Sequence, residues 1–141
     1  MPKLKIFVVE DSPIIRGNLV AALEEMAPVT VVGAAEDAQS ATQWLVREVH
    51  DCDLVIVDIF LKKGSGMDVL RALKEDEHLA ARVVLTNFAT PSVRSQCASL
   101  GADRVFDKSS EIELLIDYCI ELAGQGAGGD PTGGQSAAGL Q

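Results

Sequence analysis

Basic residues are scarce. The 141-residue chain carries 12 lysines and arginines against 21 acidic residues, a net charge of −9. That balance argues against a nucleic-acid or anionic-membrane surface, because binding there rests on Lys and Arg neutralising phosphates. Long apolar runs are missing too. None approaches the ~20 residues of a membrane span, and the opening MPKLKIFVV enters a strand-like run without a signal-peptide layout. Cysteines are few and far apart: Cys52, Cys97 and Cys119 fit neither a disulfide framework nor a zinc pattern. The expectation is reduced thiols in a cytoplasmic protein. What the chain does have is apolar content, 48% of residues, enough to fill the core of one domain.

Five short apolar runs predict strands over Leu4–Val9, 29–34, Leu54–Val57, 82–86 and 104–106. They are continuous rather than alternating, which suits a parallel sheet covered on both faces. Helical patterns lie between them. Ser12-Pro13 and Thr90-Pro91 each offer an N-cap followed by proline at the first helical position. Ile15, Leu19, Ala22, Leu23 and Met26 then follow one face of the first helix. Val93, Cys97 and Leu100 do so in the fourth, with Gly101 as its stop. Ser110 and Glu113 read as a capping box before Ile112, Leu115, Ile116 and Cys119. The stretches 37–49 (Ala38, Ala41, Leu45) and 66–75 (Met67, Leu70, Leu73) complete five β-α units. They predict an α/β fold, a three-layer α/β/α open sandwich. The Gly-, Ala- and Ser-rich stretch 124–141 has no periodic face and reads as a flexible tail behind a domain over 1–123.

In open parallel sheets chemistry gathers at the carboxyl ends of the strands. Glu10 and Asp11 follow strand one, Asp58 follows strand three, Thr86 and Asn87 close strand four, and Asp107 and Lys108 follow strand five. Each has an ordinary explanation alone: a strand-end Asp can cap a helix, and a lone lysine usually belongs to the surface. Together they do not. Two carboxylates ~4 Å apart repel by roughly 4 kcal/mol at an effective dielectric of about 20, so three of them call for a cation. Oxygen-only ligands select a hard ion such as Mg²⁺, which binds through one or two carboxylates plus waters and a phosphate. Asp58 could then act as a covalent nucleophile toward a phosphoryl group, with Lys108 and the Thr86 hydroxyl stabilising the transferring oxygens.

The segments FVVEDS, LVIVDI, VVLTN and GADRVFDKS resemble the receiver domain of two-component response regulators, over residues 4 to 122. The resemblance implies a flavodoxin-like five-stranded parallel sheet of order 2-1-3-4-5. It implies that Asp58 accepts a phosphoryl group from a sensor histidine kinase or phosphotransfer protein. Mg²⁺ would be ligated by Asp11, Asp58 and the Phe60 backbone carbonyl, with Glu10 holding it through water. Thr86 and Lys108, helped by the Asn87 backbone N–H, would bind the phosphoryl oxygens. Such a domain is not an enzyme beyond promoting its own phosphorylation and dephosphorylation. It signals to a downstream protein, and a homodimer formed on phosphorylation is compatible with the resemblance.

Four positions depart from the family pattern. Lys62 and Ser109 stand where proline is common, Asn87 where a smaller residue is usual, and Val105 where an aromatic switch residue often sits. Val105 is too small to fill the space Thr86 would vacate, so the expected readout runs through 87–90 and the helix from Pro91. Two residues beyond Asp58 and Thr86 stand Phe60 and Phe88, which would govern water access to the acyl phosphate. Ile14, beside the acidic opening, is the expected kinase contact.

A stand-alone receiver acting by protein contact is the expected reading, because the chain begins naturally and carries no obvious tag. The alternative is the receiver portion of a longer regulator, such as a transcription factor. An aspartate-nucleophile phosphatase would want a second aspartate where Phe60 stands. A nucleotide-binding protein would want a Gly- or Ser-rich loop where EDSP stands.

Overall fold

The computed structural model describes residues 3–47 and 52–127. Strands β1 (Leu4–Val9), β2 (Val29–Ala35), β3 (Leu54–Val57), β4 (Ala81–Thr86) and β5 (Arg104–Asp107) form one parallel sheet of order β2-β1-β3-β4-β5. The helices are α1 (Pro13–Met26), α2 (Ala38–Thr42, continued by a π turn Gln43–Arg47), α3 (Gly66–Glu75), α4 (Pro91–Ser99) and α5 (Ile112–Leu122). This is the flavodoxin-like three-layer arrangement that the apolar runs and the resemblance predict. The central strand β3 has no exposed position, as a strand covered on both faces requires.

Two apolar layers sandwich the sheet. On one face Ile6, Val8, Leu54, Ile56 and Leu85 pack against Leu19 and Leu23 of α1 and Leu115, Ile116 and Cys119 of α5. On the other, Phe7, Val9, Val55 and Val57 meet Ala38, Ala41 and Leu45 of the α2 segment and Val69 and Leu73 of α3. A third cluster joins Ile59, Leu70 and Val84 to Cys97 of α4, with Val105 against it. Each large side chain buried this way contributes about 1.5–3 kcal/mol. Phe106 faces the α1/α5 layer while Val105 faces α4, as strand alternation requires.

The helix starts follow the local chemistry. The Ser12 and Thr90 hydroxyls accept from the N–H groups of Ile15 and Val93, each at 3.2 Å. Gly101 closes α4 at φ +100°, a conformation that favours glycine. Two expectations need correction. Ile15 and Met26 do not join the buried face of α1: they are 40% and 57% exposed. Both stand in its terminal turns, so the buried stripe narrows to Leu19 and Leu23. The Ser110–Glu113 capping box does not form, because Asp107 has already taken the turn. Its Oδ1 accepts from the N–H groups of Ser109 and Ser110 at 2.8 and 3.2 Å, and Glu111 takes the N-cap position. Past Leu122 the last helix continues as a π turn over Ala123–Ala127. The remaining 128–141 of the expected tail, and 48–49 of the expected second helix, lie outside the described residues.

Candidate functional site

The sheet's hydrogen bonding runs one residue past its strands and aligns the acidic side chains. The Glu10 N–H donates to the Ala35 carbonyl and the Asp58 N–H to the Val9 carbonyl, both at 3.0 Å. Glu10 and Asp58 are buried there, with Asp11 half-buried at the rim. One oxygen from each of the three carboxylates lies within 4.8 Å of the others.

Lys108 enters this cluster from the end of β5. Its Nζ donates to Glu10 Oε1 and to Asp58 Oδ2, each at 2.7 Å. Burial pulls the Lys108 ammonium toward deprotonation, but the hydrogen bonds and charges of Asp58 and Glu10 outweigh it and hold the pKa above the ordinary lysine value. Each carboxylate also accepts from a backbone N–H. Glu10 Oε2 accepts from the Ser12 N–H at 3.0 Å, Asp58 Oδ1 from the Phe60 N–H at 3.2 Å, and Asp11 Oδ2 from the Lys62 N–H at 2.8 Å. One lysine charge still faces three carboxylates. The donor set is oxygen only and open on the Asp11 side, which fits a hard dication.

Thr86 is fully buried beside this cluster, its Oγ1 accepting from the Phe88 N–H at 3.2 Å. Its carbonyl accepts from the Lys108 N–H at 2.8 Å, so the ends of β4 and β5 are tied. Asn87 is exposed. Phe60 and Phe88 are 51% and 58% exposed, and their rings meet edge to face with centroids 5.0 Å apart. The sequence places each ring two residues past a reactive position but does not reveal that they touch. Val105 lies away from the carboxylates, in the apolar cluster against α4. Ile14 is 76% exposed on the first turn of α1, close in sequence to Asp11.

Two supporting residues escape a sequence reading. Arg16 Nη1 donates to the Glu10 carbonyl at 2.7 Å and fixes the acidic turn from α1. Gly66 packs so closely under Asp58 that a Cβ there would collide with the Asp58 carbonyl oxygen and with Val57. Ser65, whose Oγ accepts from the Met67 N–H at 3.0 Å, caps α3 just before this glycine; the sequence shows the glycine but not what it lies against.

The family described as the response regulator receiver domain matches residues 6–119. The nitrate/nitrite response regulator protein NarP of Escherichia coli (strain K12) is 31% identical over 113 residues, covering 80% of this chain and 52% of that protein. The transcriptional regulatory protein PdtaR of Mycobacterium tuberculosis (strain ATCC 25618 / H37Rv) is 32% identical over 119 residues, covering 84% and 56%. The chain thus spans about half the length of these curated relatives. Among solved structures, a two-component response regulator of the LuxR family from Aurantimonas sp. SI85-9A1 superposes with a TM-score of 0.77 at 27% identity, covering 86% of each chain.

Proposed function

Because the chain belongs to the response regulator receiver domain family, we propose that Asp58 accepts a phosphoryl group from a sensor histidine kinase or a phosphotransfer protein. The observation that carries this reading is the Lys108 ammonium shared at 2.7 Å between Asp58 and Glu10, with Asp11 alongside. A carboxylate needed only for structure would not be gathered with two others around a single lysine.

In the transfer, an Asp58 oxygen forms a bond to phosphorus as the P–N bond of the donor phosphohistidine breaks. The leaving imidazole keeps that electron pair. Lys108 exchanges its bond to Asp58 Oδ2 for one to a phosphoryl oxygen, and the buried Thr86 hydroxyl donates to another, with the Asn87 N–H beside it. Glu10, Asp11, Asp58 and the Phe60 carbonyl would hold Mg²⁺, which when bound neutralises charge on the transferring group. The Phe60–Phe88 pair at the mouth presents no strong hydrogen-bonding group, and so excludes the water that would hydrolyse the acyl phosphate. The protein turns over no separate substrate; it promotes its own phosphorylation and dephosphorylation.

The signal passes by a conformational change to a protein target, and a homodimer formed on phosphorylation belongs to the same reading. The net charge of −9 argues against nucleic-acid binding by this domain itself. No helix among the described residues is long and apolar enough to cross a membrane; a cytoplasmic site of action belongs to the same proposal. A second reading, favoured by relatives named transcriptional regulators that are about twice as long as the matched stretch, is a receiver serving a separate effector domain. The mass of the protein made in its own cell separates the two.

The test of phosphorylation is intact mass after incubation with a small phosphoryl donor and Mg²⁺. One acid-stable, base-labile phosphoryl group should appear, and Asp58→Asn should abolish it. Undiminished labelling of that variant refutes the assignment.

A further inference from the structure

With Val105 small, another device must connect the Thr86 end of the site to the far edge of the sheet. One side chain reaches all the parts concerned. Arg94, on the first turns of α4, donates from Nε to the Ala89 carbonyl at 3.0 Å, from Nη1 to the Val105 carbonyl at 2.9 Å and from Nη2 to Glu111 Oε1 at 3.3 Å. Glu111 Oε1 in turn accepts from the Asp107 N–H at 2.7 Å. The hydrogen bonds to Asp107 and Arg94 hold the Glu111 carboxyl below the ordinary glutamate value.

We propose that Arg94 is a positioning residue that passes movement of the β4–α4 loop to β5 and the start of α5. The inference rests on the phosphorylation reading above for what moves the loop, but not for the coupling itself. Drawing the Thr86 hydroxyl to a phosphoryl oxygen pulls its neighbours 87–89, and the Ala89 carbonyl leaves Arg94 Nε. A planar guanidinium holds its donors in a fixed fork. It therefore cannot follow Ala89 without turning away from Val105 or Glu111. Once Glu111 loses Arg94, its hold on the Asp107 N–H loosens, and the start of α5 is freed. A lysine could not do this, because its donors radiate from one freely rotating nitrogen and cannot span the three acceptors that Nε, Nη1 and Nη2 reach separately.

The test is amide exchange on the full chain, with intact mass recorded on the same samples. Arg94→Met keeps the apolar stem and removes every donor; Arg94→Lys keeps the charge. In wild type, phosphorylation should change exchange in both 87–93 and 104–115, by about two- to tenfold, the population shift that one hydrogen bond's net contribution gives. In Arg94→Met the mass gain and the response in 87–93 should persist while the response in 104–115 disappears. Arg94→Lys should restore less than half of it. A full response of 104–115 in Arg94→Met overturns the proposal. A second arm needs no phosphoryl group: Ala89→Gly loosens the loop, and should speed exchange in 104–115 in wild type but not in the Arg94→Met background. Equal effects in both backgrounds, or none in either, overturn the coupling. A wild-type chain that gains no mass refutes the function proposed above, and the second arm then decides the role of Arg94 alone.

Discussion

Replacing Asp58 with asparagine should leave the stability of the Mg²⁺-free protein close to that of wild type, although it removes a buried, ion-paired charge. The usual cost of removing one partner of a buried pair is about 3–5 kcal/mol. Here the geometry offsets it. At an effective dielectric of about 20, the 2.7 Å contact with Lys108 is worth about 6 kcal/mol of attraction. Oxygens of Glu10 and Asp11 within 4.8 Å each oppose it by about 3.5 kcal/mol, the half-buried Asp11 by less because solvent screens it. Asparagine keeps an oxygen for Lys108, and the lysine keeps Glu10, while the amide NH2 then faces the Phe60 N–H, whose lost acceptor costs about 1 kcal/mol. The opposing terms cancel to within about 1 kcal/mol. Urea unfolding of both proteins in EDTA should therefore give midpoints that nearly coincide. In excess Mg²⁺ the wild type should pull ahead, by about 2.7 kcal/mol at a hundredfold excess over its dissociation constant, because the variant has lost a ligand. A loss of 3 kcal/mol or more by the variant in EDTA would refute the reasoning, since Asp58 would then be an ordinary structural partner of Lys108.

If the aromatic pair shields the acyl phosphate as proposed, Phe60→Asn with Phe88→Glu should shorten its half-life at least about tenfold, ~1.4 kcal/mol of barrier. Decay after donor removal at fixed Mg²⁺ measures it, and an unchanged half-life refutes the shield. Ile14→Asp should slow transfer from the partner kinase and leave labelling by a small donor intact; equal losses in both assays mean the residue serves the fold instead. Burial pushes the thiols of Cys52 and Cys119 up to about 11 and about 12 from 9.0, and that of Cys97 up as well. Above pH 9 the unfolded chain therefore binds fewer protons than the folded one, so stability falls as pH rises from there through the folded values. Urea midpoints between pH 8 and 10.5 should decline, and a flat profile contradicts the burial of these thiols.

The sheet was legible because its signals are local. Uninterrupted apolar runs mark all five strands to within one residue at either end. Serine or threonine before proline marks two helix starts for the same reason. The cluster at the strand ends was legible because topology sends every strand's carboxyl end to one edge: Lys108 meets Glu10 across 98 positions of sequence. What stayed hidden depends on partners that sequence does not encode. Arg94 works through the backbone carbonyls of Ala89 and Val105, and a carbonyl is present at every position. The capping box failed because Asp107 takes the Ser110 N–H that Glu113 would have reached back to. Helical periodicity put Ile15 and Met26 inside because it cannot tell where a helix overruns the sheet.

Charge makes the last connection between the site and its readout. Before transfer, one lysine serves three carboxylates and is bonded to two of them. A phosphoryl group on Asp58 replaces one negative charge with about two and adds strong acceptor oxygens. Lys108 already commits two of its three donors to Glu10 and Asp58, so at most one more is left for those oxygens. The Thr86 hydroxyl is the nearby uncharged donor that can answer the new demand, and it is fully buried, with a single loop between it and Arg94. Moving it costs its bond from the Phe88 N–H, which shifts the ring that edges against Phe60. Under the proposed phosphorylation, the displacement that stabilises the phosphoryl group would therefore disturb both the Phe60–Phe88 pair and the Arg94 contact. Lifetime and output would then be coupled through residues 86–89, and a substitution that stiffens this loop should lengthen the first while weakening the second.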